Sequence, residues 1–227
     1  MKIGIIGAGN IGGNLTRRLR ALGHDVSVAN SRGPETLASL AKETGAKAVT
    51  VAEAARGKDL VIVAMPLKNV PALPKNLFVA GDSTVVVDTS NYYPQQRDGR
   101  IDPIETGTTE SRWVSQQLGR PVVKAFNTIY AKHLLELGRS RGAAGRIALP
   151  VAGDDTAAKS VVTRLVDELG FDGVDAGSLD ESWRQQPGTP VYGTDLDAES
   201  VRRGLAEARK ERPPEFRAAA REVARQS

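Results

Sequence analysis

The sequence predicts an α/β fold in which a doubly wound, mainly parallel sheet is covered by helices on both faces. Short apolar runs rich in valine and isoleucine alternate with helical patterns over most of the chain. Strands that are separated by helices are typical of parallel sheets. A cluster of glycines between the first predicted strand and the first predicted helix indicates the same class.

The first half of the predicted sheet begins at the second residue. A strand in KIGIIG leads into the helix NIGGNLTRRLRALG, and Gly23 is typical of a helix C-terminus. The strand DVSVAN follows. PETLASLAKETG is predicted to be helical because Pro34 suits a first helical turn and Gly45 suits a helix end. The runs AKAVTV and DLVIVAM are predicted strands on either side of a short helix in AEAARG.

The second half continues the alternation. STVVVDTS is a predicted strand, TTESRWVSQQLG a helix and PVVKAF a strand. GRIALPVAG and GFDGVDAG are predicted strands that flank the helix DTAAKSVVTRLVDELG. We predict one domain over residues 1–177. Residues 178–227 form a small C-terminal segment, polar and turn-rich at first and then two helices separated by Pro213 and Pro214.

This C-terminal segment is too short for an independent substrate domain. We expect it to complete a cleft or a dimer interface, and we expect a homodimer. The net charge of +4 comes from the residues from Ser200 onward, which include 8 Lys/Arg and 4 Asp/Glu, while positive and negative charges balance in the rest of the chain. Acidic residues alternate with these arginines, so a solvated helix is favoured over a nucleic-acid-binding tail.

Composition narrows the chemistry. The chain of 227 residues is 40% hydrophobic and 26% charged, which is ordinary for a globular protein. We expect no membrane span and no signal peptide, and therefore a cytoplasmic protein. With no cysteine and two isolated histidines, disulfides and thiolate sites are excluded and no metal site is expected. His24 is expected to be exposed.

The motif GAGNIG places Gly7, Gly9 and Gly12 in the spacing of a Rossmann-type dinucleotide-binding turn. Gly7 permits a tight turn, Gly9 lets the backbone approach a pyrophosphate, and Gly12 lets the helix pack close to the strand. Asn10 and Ile11 begin the helix, whose N-terminus offers free N–H groups to phosphates. NAD(P) or FAD could occupy such a turn.

The end of the second predicted strand separates these possibilities. An acid at this position would bind the ribose hydroxyls of NAD and repel a 2′-phosphate. The chain has Asn30, Ser31 and Arg32 instead, and Arg32 can meet a phosphate in bidentate fashion. Thr36, in the next helix, is a further candidate for phosphate contact. The sequence therefore predicts NADP(H) as the cofactor.

Other candidates lie at the remaining strand ends. Met65 and Pro66 follow one strand, and Ser90 and Asn91 begin a loop over the expected nicotinamide position. Asn127 is a candidate for holding a carboxamide or a substrate carbonyl.

Two further side chains are open to more than one interpretation. Lys124 is either a surface or interface lysine or a catalytic residue, and Trp183 is a candidate for closing the cleft. No acid/base pair is evident. Hydride transfer between two flat cofactors requires alignment and the exclusion of water more than side-chain chemistry.

Four stretches together resemble the NADPH-dependent coenzyme F420 reductase family: KIGIIGAGNIGGNLTRRLRALGHDVSVANSRGPE, DLVIVAMP, VVVDTSN and VVKAFNTI. The oxidoreductase domains of the STEAP metalloreductases are similar. The resemblance covers about residues 1–176. It implies hydride transfer between NADPH and a second cofactor or substrate, such as the deazaflavin F420, a flavin or a small organic molecule.

The resemblance also implies roles for individual residues. Gly9, Asn10 and Ile11 would bind the pyrophosphate, and Ser31 and Arg32 would bind the 2′-phosphate. The adenosine half is flanked by Met65 and Pro66, and the nicotinamide lies near Ala125, Phe126 and Asn127.

Two alternatives remain open at this point. A β-hydroxyacid dehydrogenase or imine reductase would share the first half of the chain, but it needs a long helical second domain. A non-catalytic NADPH sensor would bind a partner through the basic C-terminal segment, and turnover with any acceptor would exclude it.

Overall fold

The structure, a computed structural model, describes residues 1–78 and 81–219. A six-stranded sheet in the order β3-β2-β1-β4-β5-β6 forms its centre, and every pair of neighbouring strands is parallel. This arrangement confirms the predicted Rossmann-type α/β class. The strands are β1 (Lys2–Ile6), β2 (Asp25–Ala29), β3 (Lys47–Ala48), β4 (Leu60–Val63), β5 (Val85–Asp88) and β6 (Val123–Lys124).

Helices cover both faces of this sheet, and their apolar sides form two large buried clusters against it. No helix in the described ranges combines the length and the apolar character needed to cross a bilayer. The helices are α1 (Asn10–Ala21), α2 (Ala38–Thr44), α3 (Val51–Ala55), α4 (Asp102–Glu105), α5 (Glu110–Leu118), α6 (Ala131–Glu136), α7 (Thr156–Glu168) and α8 (Ala198–Glu207).

The last two strands do not extend the parallel sheet as predicted. β7 (Ala148–Val151) and β8 (Asp172–Asp175) pair in parallel with each other. Their link to the main sheet is an antiparallel bridge, in which the backbone N–H of Lys124 donates to Ala152 O at 2.8 Å and Ala152 N–H donates back at 3.0 Å. The sheet therefore changes direction after β6.

Two predicted strands are shorter than their sequence patterns indicate. In AKAVTV the strand ends at Ala48, because Thr50 caps α3 in a reciprocal capping box with Glu53 and Val51 becomes helical. In PVVKAF the strand ends at Lys124, and Phe126 adopts a φ of 62°, which no strand residue has.

Beyond β8 the chain packs back onto the domain. A 3₁₀ helix over Leu179–Gln185 precedes α8, and a 3₁₀ turn forms at Pro214–Phe216. The second C-terminal helix, predicted after Pro214, lies largely outside the described residues. The first, α8, is confirmed, with Asp197 as its N-cap.

A buried ion pair holds the carboxyl end of β6. The ammonium of Lys124 lies 3.0 Å from Glu110 Oε2 and 3.1 Å from the carbonyl oxygen of Ser90, and Arg212 Nη1 lies 2.9 Å from Glu110 Oε1. The side chains of Lys124 and Glu110 are each 1% exposed. The expectation of a surface lysine is therefore wrong, because the partner carboxylate allows the charge to be buried.

His24 is also buried, contrary to expectation. Its ring nitrogens lie 3.2 Å from the N-terminal amine and 3.0 Å from Glu168 Oε2. Gly23, with a φ of 85°, turns the chain inward after α1 and brings the imidazole against α7. The helix end predicted from Gly23 is confirmed, and the prediction was wrong only for the exposure of His24.

We predict that Lys124→Met lowers the free energy of unfolding by about 3 kcal/mol, because Glu110 would keep a buried charge with Arg212 as its remaining partner. Urea unfolding at pH 7 measures the change. Lys132→Met is the matched control: its side chain is 75% exposed and pairs with Glu136 at 4.0 Å. Loss of that pair costs no more than about 0.5 kcal/mol.

The stability of Lys124→Met relative to wild type should also depend on pH. Burial alone would raise the pKa of Glu110, but Lys124 and Arg212 outweigh it and hold the pKa below its ordinary value. The ionised carboxylate thus stabilises the fold above about pH 4.3, and this contribution is lost as the pH falls through the folded pKa. The difference in the free energy of unfolding between wild type and Lys124→Met should therefore become smaller at acid pH. A difference that becomes larger at acid pH would contradict this role of the ion pair.

Candidate functional site

The carboxyl ends of four parallel strands meet at one edge of the sheet. Register pairs Ile6 with Val63, Val63 with Asp88, and Asp88 with Lys124, so the turns that follow these residues lie side by side. They enclose a cleft of about 390 Å³. Its walls come from residues 9–11, 64–66, 89–91, 93, 97, 126, 127, 129–131 and Tyr192.

A groove of about 680 Å³ adjoins this cleft. The two share Gly9, Asn10 and Ala131 in their walls, so they meet at the N-terminus of α1. The groove continues between α1, α2 and α6, past Arg32 and Thr36. An elongated ligand could therefore lie across the glycine turn with one end in each cavity.

The three glycines of the turn have different surroundings. Gly7 has a φ of 108°, and an added Cβ would lie 2.2 Å from Ala64 O. A Cβ on Gly12 would lie 1.8 Å from Gly7 O, so helix and strand approach too closely for any side chain. A Cβ on Gly9 would meet no atom within 4 Å, because this residue faces the cavities. Gly7 and Gly12 serve the fold, and Gly9 leaves the backbone open to a ligand.

The end of β2 forms a compact polar turn. Asn30 Nδ2 donates to Thr36 Oγ1 at 2.8 Å, and Asn30 Oδ1 accepts from the Arg32 backbone N–H at 2.9 Å. Thr36 Oγ1 in turn donates to Gly33 O at 2.8 Å. The side chains of Asn30 and Thr36 thus shape the turn, while Ser31 and Arg32 stand exposed at its tip.

Arg32 is distinct among the cations of the groove. Arg17 makes two hydrogen bonds with the carboxylate of Glu43, at 2.6 and 2.9 Å, and Lys132 pairs with Glu136 at 4.0 Å. Within residues 1–78 and 81–219 the guanidinium of Arg32 has no ion pair or hydrogen bond. Among the three groove cations, it is the one whose charge has no partner in the described part of the chain and can meet an anionic ligand.

The amide of Asn127 is engaged by the protein itself. Its Nδ2 donates to Asn91 Oδ1 at 3.0 Å and to the carbonyl oxygen of Gln185 at 2.6 Å. Its Oδ1 accepts from Gln185 Nε2 at 2.8 Å. Both N–H groups of the Asn127 amide are therefore engaged within the protein, and its role in holding a carboxamide or a substrate carbonyl stays a prediction. Asn91 and Asn127 reach the cleft as a joined pair.

Tyrosines line the outer part of the cleft. The hydroxyls of Tyr93 and Tyr192 are hydrogen-bonded to each other, and burial together with this bond raises the pKa of Tyr192. Tyr130 is 56% exposed at the rim, in edge contact with His133. These tyrosines were not predicted as site residues, since nothing local in the sequence distinguishes them from core aromatics.

Trp183 does not close this cleft as expected. It lies under the guanidinium of Arg184, 4.3 Å from ring centroid to Cζ, and lines a separate cavity of about 300 Å³ beside Arg212 and Arg217. Tyr192, from the same C-terminal segment, lies in the cleft instead.

Most of the predicted cofactor residues come together. Those in the cleft are Gly9, Asn10, Ile11, Met65, Pro66, Ser90, Asn91, Phe126 and Asn127. Arg32 and Thr36 line the groove. Gly7, Gly12, Asn30, Ser31 and Ala125 line neither cavity, and Lys124 is buried behind Ser90.

The sheet, the glycine turn and the two adjoining cavities define a Rossmann-type α/β protein. The family described as NADP oxidoreductase, coenzyme F420-dependent, matches residues 2–92. Hypothetical protein SMa0349 from Sinorhizobium meliloti is 33% identical, with a TM-score of 0.75 over 86% of this chain and 95% of that one. The chain belongs to this family of nicotinamide-dependent oxidoreductases.

The chain is similar to two further proteins. A candidate F420-dependent NADP reductase from Arthrobacter sp. FB24 is 25% identical, with a TM-score of 0.65 over 78% of this chain and 85% of that one. YjhV of Escherichia coli strain K12 is 49% identical over 69 residues, 30% of this chain. The match spans only half the length of YjhV.

The different roles of Gly9 and Gly12 can be tested by stability alone. We predict that Gly12→Ala lowers the free energy of unfolding by about 3 kcal/mol, because its Cβ would overlap a backbone oxygen. Gly9→Ala should lower it by no more than about 1 kcal/mol, because the new methyl group points into open space and only the preference of the helix N-cap for glycine over alanine is lost. Urea unfolding of both variants gives the comparison, and equal losses would show that Gly9 is also packed.

Proposed function

We propose that the chain is an NADP(H)-dependent oxidoreductase that transfers hydride between NADPH and a second molecule. One observation carries the proposal: the cleft and the groove meet at Gly9, and Arg32, whose guanidinium has no partner among the described residues, lies along the groove. Bound NADPH supplies the hydride from its dihydronicotinamide ring. The chain supplies binding, alignment and the exclusion of water.

The proposed binding mode follows the order of the two cavities. The backbone of Gly9, Asn10 and Ile11 receives the pyrophosphate at the positive end of α1. Ser31 and Arg32 receive the 2′-phosphate, on a turn that Asn30 and Thr36 hold in shape.

The remaining contacts lie in the cleft. Met65 and Pro66 line the cleft and not the groove. With the 2′-phosphate on Arg32 in the groove, they are proposed to lie beside the nicotinamide half and not beside the adenosine half, as the resemblance implied. The nicotinamide half is proposed to lie near Ser90, Asn91, Phe126 and Asn127, with Ala125 behind them in the core.

The acceptor is proposed to be the deazaflavin F420, a flavin or a small organic molecule. The described walls of the cleft contain no carboxylate and no imidazole, and their polar groups are hydroxyls, amides and Arg97. Such a lining favours stacking and alignment over acid/base chemistry. Lys124, buried and hydrogen-bonded to Glu110 and Ser90, is proposed to support the site and not to act in catalysis.

The C-terminal segment is proposed to complete the site. Tyr192 lines the cleft and Gln185 holds Asn127, so residues 178–227 are interpreted as an extension of the 1–177 domain. The long helical second domain of a β-hydroxyacid dehydrogenase or imine reductase has no counterpart in residues 178–219, where α8 is the single α-helix. Tyr130 is exposed at the rim of the cleft. Its ring is proposed to be covered by the acceptor or by the second copy of a cytoplasmic homodimer.

We predict that Arg32→Ala weakens NADPH binding by about 1.5–3 kcal/mol, the scale of a lost hydrogen bond to a charged group, and leaves NADH binding nearly unchanged. Isothermal titration with each cofactor measures the effect. Arg56→Ala, at an exposed arginine outside both cavities, is the matched control and should alter neither affinity. Equal losses for both cofactors would disprove the 2′-phosphate assignment.

The proposed activity is tested by mixing the protein with NADPH and, separately, F420, FMN, FAD and a ferric chelate. We expect the dihydronicotinamide absorbance to fall with at least one of these acceptors. Gly9→Val is the control, because its side chain would fill the space left for the pyrophosphate and should abolish turnover. Tight NADPH binding without turnover of any acceptor would instead favour a non-catalytic NADPH sensor.

A further inference from the structure

The turn after β6 is held in a conformation that its sequence disfavours. Phe126 has a φ of 62°, and it is the one non-glycine residue with positive φ in the described ranges. A bulky side chain is strained in this left-handed region, so the surroundings must fix the backbone. Phe126 is 1% exposed and contributes to the wall of the cleft. Such strain at a cavity wall points to a constraint that serves the site.

The constraint is a set of amide hydrogen bonds around the next residue. Asn91 Nδ2 donates to the backbone oxygen of Asn127 at 2.9 Å, and Asn91 Oδ1 accepts from Asn127 Nδ2 at 3.0 Å. Gln185 supplies the other two partners, since its backbone oxygen accepts from Asn127 Nδ2 and its Nε2 donates to Asn127 Oδ1. Asn127 is thus clamped from two sides.

Gln185 itself is fully buried and does not line the cleft, so it touches Asn127 and not the cavity. Its Nε2 donates to Pro150 O at 3.3 Å as well as to Asn127. Its Oε1 is buried and has no hydrogen-bond partner in the part of the chain that is described. The structural role of this side chain therefore depends on its two N–H donors.

We propose that Gln185 is a positioning residue that fixes the turn at Phe126 and Asn127 for the nicotinamide half of the cofactor. The proposal rests on the proposed function, because it assigns that half of NADPH to this end of the cleft. Gln185 acts through Asn127, across 58 residues of sequence. It makes the C-terminal segment a determinant of cofactor geometry.

Two neighbouring substitutions isolate this role. Gln185→Glu keeps the shape of the side chain but replaces the donor by a carboxylate oxygen, which would repel Asn127 Oδ1. Gln186→Glu is the matched control: Gln186 is similarly buried, but its Nε2 lies 3.5 Å from Lys210 O and it lines the separate cavity near Trp183.

The experiment compares binding of NADPH with binding of 2′,5′-ADP, which lacks the nicotinamide half, to the full chain. We expect wild type to bind NADPH more tightly than 2′,5′-ADP. Gln185→Glu should lose at least tenfold in NADPH affinity and keep its 2′,5′-ADP affinity within twofold. Gln186→Glu should change neither value by more than twofold. Unchanged NADPH affinity in Gln185→Glu would overturn the proposal.

Other outcomes are equally decisive. If Gln185→Glu loses both ligands, Gln185→Met, which removes the donors without adding charge, is measured in the same way. The selective loss in Gln185→Met would support the proposal, and loss of both ligands there too would overturn it in favour of a general structural role. Wild-type protein that binds neither ligand would refute the proposed function itself, independently of Gln185.

Discussion

The architecture of the site depends on the buried ion pair between Lys124 and Glu110. The ammonium of Lys124 joins β6 to the loop after β5, through Ser90 O, and to α5, through Glu110. Glu110 extends the link to Arg212 in the C-terminal segment. Because an unpaired buried charge is so costly, these elements must keep their relative positions. Two of the four turns that form the cleft, those after β5 and β6, are linked through this ion pair.

A second constraint acts at the opposite end of the ligand site, where backbone closeness replaces side-chain contact. Gly12 lies so near Gly7 that α1 must begin at the sheet edge, and this places the helix N-terminus where the two cavities meet. The proposed preference for a 2′-phosphate depends on the charges in the groove. Arg17 pairs with Glu43, whereas the guanidinium of Arg32, on a turn built by Asn30, has no partner among the described residues.

The sequence predicted what depends on local rules. The glycine turn, the strand ends and the helix caps follow from backbone geometry, so the sheet and most cleft residues were identified. The errors came from contacts between distant segments: Lys124 and Arg212 both pair with Glu110, and His24 contacts Glu168 in α7. Tyr192 and Gln185 were missed for the same reason, because their partners Tyr93 and Asn127 lie 99 and 58 residues away. No spacing rule connects such pairs.

The affinity of the wild-type protein for NADPH relative to NADH tests the account most directly, because the two cofactors differ only in the phosphate assigned to Arg32. A charge-assisted contact of about 1.5–3 kcal/mol predicts that NADPH binds at least about tenfold more tightly in parallel calorimetric titrations. Equal affinities, or tighter binding of NADH, would contradict the assignment of the groove to the 2′-phosphate and with it the proposed orientation of the cofactor.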